Sequence, residues 1–192
     1  MSRDCAAPAV IVRPSLDTDL PRIAAIYGHW VLHGLASFEL TPPTAGEMAH
    51  RRSTLLEQRY PYLVATDRAT GAVLGFAYAG PYRARPAYSF SVEDSVYVAP
   101  DAGRRGVGRA LLERLIAECE TLGFRQMIAV IGDSANVASI ELHARLGFAH
   151  AGLLPAVGWK FERWVDSVLM VRALGAGSTT APERARRSRT PR

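Results

Sequence analysis

Three glycines and three arginines crowd Gly103-Arg104-Arg105-Gly106-Val107-Gly108-Arg109, between a β-prone run ending in Val96-Tyr97-Val98 and an apolar-periodic run through Leu111, Leu112, Leu115 and Ile116. Glycines let the backbone pass close to a bound group, and the arginines surround it with positive charge. The first turn of a following helix has amide hydrogens without intrahelical partners, so strand, turn and helix together would make an anion cradle, with a phosphate as the guest. The spacing G-x-x-G-x-G reverses that of dinucleotide folds, and no P-loop Gly-Lys-Ser/Thr follows. From spacing alone, a tight turn with solvated arginines explains the stretch as well as a phosphate site does.

The elements that must position this stretch follow from periodicity. Residues 9–13 read as a first strand, and apolar positions Leu20, Ile23, Ile26, Tyr27, Trp30 and Val31 give a helix from about Asp19 to His33. A connector carrying Phe38 leads to Pro42-Pro43, and Thr44-Ala45-Gly46-Glu47 then forms a capping box for a helix to about Gln58. Residues 62–66 and 72–79 are a hairpin. After the loop 80–86, residues 87–99 form one β-prone run containing Glu93 and Asp94, whose side chains should face opposite ways. A helix from Val107 to Leu122 ends at Gly123, residues 126–131 are a short buried strand, and a helix from about Ala135 to Leu146 ends at Gly147. Two more strands, 148–153 and 162–172, complete the pattern.

The 192 residues fit one domain, 9–174, with loose ends at 1–8 and 175–192. The second end is Gly/Ser/Thr/Ala/Pro/Arg-rich without apolar period, and disorder is expected there. It also explains the net charge of +5: without the last eleven residues, 18 basic and 17 acidic residues remain. A nearly neutral folded part argues against specific nucleic-acid binding, and the tail supports at most weak nonspecific contact. Cys5 and Cys119 are far apart and match no metal spacing, and no secretory signal or membrane-length apolar run is visible. A cytoplasmic setting without disulfides, membrane or metal is expected.

Strand, Arg104-Arg105-Gly106-Val107-Gly108-Arg109-Ala110-Leu111-Leu112, then helix resembles the pyrophosphate-binding motif of the GCN5-related N-acetyltransferases. Asn136-x-x-Ser139-x-x-Leu142-His143-x-x-Leu146-Gly147-Phe148 is similar to the family's second block. The stretches 80–85, 87–88, 93–98, 129–132, 158–160, 164–166 and 59–65 look like its phosphinothricin N-acetyltransferase branch, so the resemblance spans roughly residues 10–173. It implies an α/β (α+β) fold, a mixed, mostly antiparallel sheet of about seven strands flanked by about four helices. It also implies acetyl transfer from acetyl-CoA, a homodimer, and a small amino-acid acceptor such as phosphinothricin, its demethyl form, or methionine sulfoximine or sulfone.

The resemblance assigns Val96, Tyr97, Val98, Gly103, Arg104, Arg105, Gly106, Val107, Gly108, Arg109, Asn136 and Ser139 to the cofactor. It departs at Gly103, where the family has Gln or Arg, so a weakened cofactor contact is expected. A protonated amine needs a base before it can attack a thioester, and Glu93 aligns with the branch's glutamate. His143 stands where many acetyltransferases present a tyrosine to the leaving thiolate. Arg83 and Arg85 suit the acceptor's carboxylate and phosphinate oxygens, with Phe38, Tyr82, Ser91 and Val92 as further acceptor contacts. Acetyl transfer to another amine, such as a peptide N-terminus, a polyamine or an aminoglycoside, is the alternative.

Overall fold

A computed structural model describes residues 9–182. The first eight residues and the Arg-rich segment 183–192 lie outside the described residues, and with them the expectation of disorder there. Seven strands are β1 (Val10–Pro14), β2 (Tyr62–Asp67), β3 (Val73–Pro81), β4 (Ser91–Val98), β5 (Gln126–Gly132), β6 (Ala149–Lys160) and β7 (Arg163–Ala173). Four helices are α1 (Leu20–His33), α2 (Ala45–Glu57), α3 (Val107–Thr121) and α4 (Val137–Arg145). The sheet order is β1-β2-β3-β4-β5-β7-β6, and β4 with β5 is its parallel pair. The mixed, mostly antiparallel sheet and its flanking helices match the fold expected from the sequence.

The 3.6-residue period of apolar positions decides which helix faces are buried. On α3, Val107, Leu111, Leu112, Leu115, Ile116 and Cys119 are buried, each large side chain contributing roughly 1.5–3 kcal/mol. Gly75 on β3 lets this helix close: an added Cβ would stand 2.7 Å from the Tyr97 carbonyl oxygen and 3.1 Å from Val107. At the start of α2, Thr44 accepts from the Glu47 amide at 3.1 Å, but the Glu47 carboxylate turns to Arg51. Only half of the expected capping box forms.

Two boundaries differ from the sequence pattern. Strand β6 runs on to Lys160 through an irregularity after Leu154, with Ala156 at φ 51, because β7 pairs with it on both sides of that bulge. Residues 175–178, assigned by composition to the tail, form a turn, and the chain bends on through 180. Arg125 donates to Thr180 Oγ1 at 2.9 Å and to the Ala181 carbonyl at 3.1 Å, which gives this polar segment partners that composition cannot reveal.

Candidate active site

Strands β4 and β5 pair only from Ser91↔Gln126 to Asp94↔Ala129. Beyond that point β4 stays on β3 and β5 stays on β7, so their facing edges separate and leave backbone groups open along Ser95–Val98. A cavity of about 460 Å³ occupies the gap, lined by Glu93–Tyr97 and Ala129–Gly132, with His143 and Ser139 from α4. Residues Ala36–Glu39 of the α1–α2 connection close its far side. Trp30 fixes the end of β4 by donating from Nε1 to the Val98 carbonyl at 2.8 Å.

The glycine–arginine turn follows β4. Gly106 caps α3 in the left-handed region, φ 75, and Ala110 is the first amide to bond back, to the Gly106 carbonyl at 3.0 Å. The amides of Val107, Gly108 and Arg109 are therefore free for an anion at the positive end of the helix. Gly108 lies close to two neighbours, with an added Cβ 3.3 Å from Leu142 and 3.5 Å from Val98. Arg105 is turned away to an ion pair with Asp67, which holds that carboxyl near pKa 2, and Arg109 bonds Glu113 at 2.8 Å. Arg104, with φ 62, is exposed. Gly103 is extended at φ −59, ψ 153, and nothing lies within 4 Å of an added Cβ. Free amides beside an open strand edge fit a phosphate-bearing cofactor whose extended arm runs along β4.

At the floor of the cavity, Glu93 and Asp94 lie side by side. Glu93 is half-buried, and burial raises its pKa, the Asp94 charge adding to this and Arg83 opposing it. Asp94 and His143 are both buried, with Asp94 Oδ2 at 3.0 Å from His143 Nε2. His143 Nδ1 is 2.7 Å from the Ser139 carbonyl oxygen. Both ring nitrogens are engaged by the protein itself, an arrangement the residue spacing did not reveal.

The other expected contacts are spread unevenly. Val96, Tyr97 and Ser139 line the cavity, while Asn136 caps α4 by accepting from the Ser139 amide at 3.3 Å. Phe38 lines it too, lying so close to Gly158 that a Cβ there would overlap its ring. Tyr82, Arg83 and Arg85 lie outside the cavity, in the exposed loop that begins beside Glu93, which pairs with Gly80. Arg83 stacks over the Tyr82 ring at 5.1 Å. The Val92 side chain is fully buried in the core and cannot touch an acceptor; it alternates away from Glu93. Ser91 lies at the opposite end of β4, beside the 175–182 segment.

Residues not singled out for the site from sequence support the wall. Tyr27 donates to Glu39 at 2.9 Å, and burial pushes its hydroxyl up to about 12. Arg51 bonds Glu39 at 2.6 Å, and the buried Lys160 donates to the Ser37 carbonyl at 2.6 Å. These partners are far apart in the chain, so no local pattern announced them. Among the described residues no cluster of three or more His, Cys, Asp or Glu could hold a metal, and no helix is long and apolar enough to cross a membrane.

Comparison with known proteins agrees with this geometry. The model of the acetyltransferase (GNAT) family matches residues 30–148. Phosphinothricin N-acetyltransferase of Alcaligenes faecalis is 55% identical over 93% of this chain and 88% of its own. The L-methionine sulfoximine/L-methionine sulfone acetyltransferase of Pseudomonas aeruginosa is 42% identical over 83% and 91%. A crystal structure of a phosphinothricin acetyltransferase from Sinorhizobium meliloti in complex with acetyl-CoA has a TM-score of 0.88 at 48% identity, covering 92% of this chain and 94% of that one. Fold and sequence converge: the chain belongs to the GNAT acetyltransferase family and is an acetyl-CoA-dependent N-acetyltransferase.

Proposed function

We propose that the acceptor is the amino group of a small anionic amino acid, phosphinothricin or a relative such as demethylphosphinothricin or methionine sulfoximine or sulfone, and that Glu93 is the general base. The observation that carries this reading is a half-buried carboxylate of raised proton affinity where the cleft between β4 and β5 opens. An amine is mostly protonated near neutral pH, so a carboxylate able to take its proton, directly or through water, frees the attacking lone pair. Acetyl-CoA supplies the acetyl group as a thioester.

The remaining roles fall to groups around Glu93. The free amides of Val107, Gly108 and Arg109 hold the pyrophosphate, and the open edge of Val96-Tyr97-Val98 holds the pantetheine arm. A backbone amide on that edge stabilises the carbonyl oxygen as it gains charge. Arg83, whose charge reaches Glu93, and Arg85, two residues further along the same exposed loop, attract the acceptor's carboxylate, and Phe38 limits the space beside it. The relatives' names support this acceptor class.

A homodimer in the cytoplasm completes the proposal. The β6–β7 hairpin leaves Leu153, Leu154, Val157, Trp159, Phe161 and Trp164 exposed, an apolar surface suited to a second copy. The experiment is an assay of CoA release with acetyl-CoA and a panel of phosphinothricin, methionine sulfoximine, methionine sulfone and cationic amines. The expected result is a kcat/KM for the anionic acceptors at least tenfold above that for the cationic ones, about 1.4 kcal/mol of discrimination. Preference for a polyamine or aminoglycoside would reverse the assignment.

A further inference from the structure

Asp94 adjoins Glu93 on β4, is 7% exposed, and has one oxygen, Oδ1, without a hydrogen-bond partner. A buried carboxylate needs a compensating charge. The group offered is His143, whose geometry fixes its protons. Nδ1 faces the Ser139 carbonyl oxygen, which can only accept, so Nδ1 carries a hydrogen. Nε2 faces Asp94 Oδ2, and with Asp94 ionised it carries the second. The ring packs edge-on to Phe148, centroids 5.0 Å apart, which leaves it little freedom to turn.

We propose that Asp94 is a positioning residue of the acetyl transfer: it holds His143 as a fixed imidazolium at the floor of the cleft and sets its own carboxylate, rather than the imidazolium on α4, next to Glu93 on β4, strengthening Glu93 as a base. The second half of this rests on the reading of Glu93 as base; the first does not. His143 then acts as the counterion of Asp94 rather than as a free proton donor, since neither ring N–H points to an unoccupied acceptor.

The surroundings favour this state. From β4 the neighbouring titratable group is Glu93. Helix α4 turns Ser139 to the ring, while its Glu141 and Arg145 are exposed and paired with each other at 2.6 Å. Strand β5 contributes Ala129 and Ile131, β7 contributes Ser167, and β6 begins beyond Phe148, none of them ionisable. Around the wider cavity stand Tyr27, Glu39, Tyr78 and Tyr97, and Arg83 acts on Glu93 from the exposed loop. Burial alone would lower the His143 pKa, but the Asp94 hydrogen bond and charge, with the Ser139 carbonyl, outweigh it and raise the value.

Two measurements test the proposal on the intact protein. Nitrogen-15 NMR of the His143 ring at neutral pH should show both nitrogens protonated in the wild type and one in Asp94→Asn; a singly protonated wild-type ring overturns the assignment. The acid limb of the kcat/KM profile should move down by about one pH unit in Asp94→Asn, with kcat reduced about tenfold and CoA affinity unchanged. A superimposable profile overturns the link to Glu93. Glu93→Gln separates the two readings: if its acid limb persists, Glu93 is not the base, yet the NMR result for His143 still stands or falls alone. Should Asp94→Asn fail to fold, Asp94→Asn/His143→Gln removes both charges together. That variant should fold and show the same displaced limb, and an unmoved limb counts against the proposal.

Discussion

At the α3 end of the cleft, the groups offered to an anion are amides of three consecutive residues, set by one left-handed glycine and the helix that follows. At the other end, which we propose receives the acceptor, the wall is assembled from α1, the α1–α2 connection, β3, β4, β5, α4 and β7, whose contributing residues stretch from Tyr27 to Ser167. The first end is backbone and local; the second is side chain and long-range. Substitutions should therefore act differently at the two ends. Side chains around the cradle should matter little, whereas single atoms at the acceptor end should matter much.

The largest effect is expected from Glu93→Gln. An isosteric amide keeps the shape of the floor but cannot accept the proton, so kcat should fall by about 10²–10⁴-fold while CoA affinity stays within a factor of about two. Equal losses in both would mean that the floor and the cradle are not separable. The pH dependence has a definite sign. Because burial and Asp94 raise the Glu93 pKa, wild-type activity should decline on acidification at a pH above the ordinary carboxylate range. An acid limb near pH 4 would contradict this.

Next come the glycines that receive the α1–α2 connection. A Cβ on Gly132 would overlap the Leu35 carbonyl, and one on Gly158 would overlap the Phe38 ring. A carbonyl cannot swing aside as a side chain can, so Gly132→Ala should displace the connection and raise the acceptor KM by about tenfold or more. Gly158→Ala should do less, since a ring can rotate. CoA titration should register neither change.

The same contrast explains what could be read from the chain itself. The cradle's geometry was legible because its glycines, its helix and its apolar period are neighbours in sequence, and Glu93 was singled out by its place in a motif, where the structure has a half-buried carboxylate bordering the cleft. The Asp94–His143 pair joins residues 49 positions apart, and alternation along a strand says only that Asp94 faces away from Glu93, not what it meets. Lys160 with Ser37, and Arg51 with Glu39, are hidden for the same reason. Periodicity reports which face is buried; it does not report the partner. Val92 shows the converse, being adjacent to Glu93 yet turned wholly into the core.

Stability offers a smaller test on the acceptor side. His143 has a raised pKa in the folded state, so the Asp94–His143 pair contributes fully below the ordinary histidine value near 6.5. The contribution is lost as pH rises through the folded value. The stability advantage of the wild type over Asp94→Asn, read from denaturant midpoints, should shrink in that window. An advantage that grew with pH would mean that the ring is neutral in the folded protein.

The smallest change is expected at the cradle. Gly103 opens the turn where the family has Gln or Arg, and its extended backbone suits any side chain. Nothing stands within 4 Å of an added Cβ there, so Gly103→Gln should fold without strain. Its amide would reach a phosphate oxygen that, in our proposal, the Val107, Gly108 and Arg109 amides orient. One exposed hydrogen bond contributes about 0.5–1 kcal/mol, so CoA should bind about two- to fivefold more tightly in calorimetric titration. The acceptor KM should not move. A much larger gain would mean that side chains carry the phosphate after all, and the backbone account of this end would have to be abandoned.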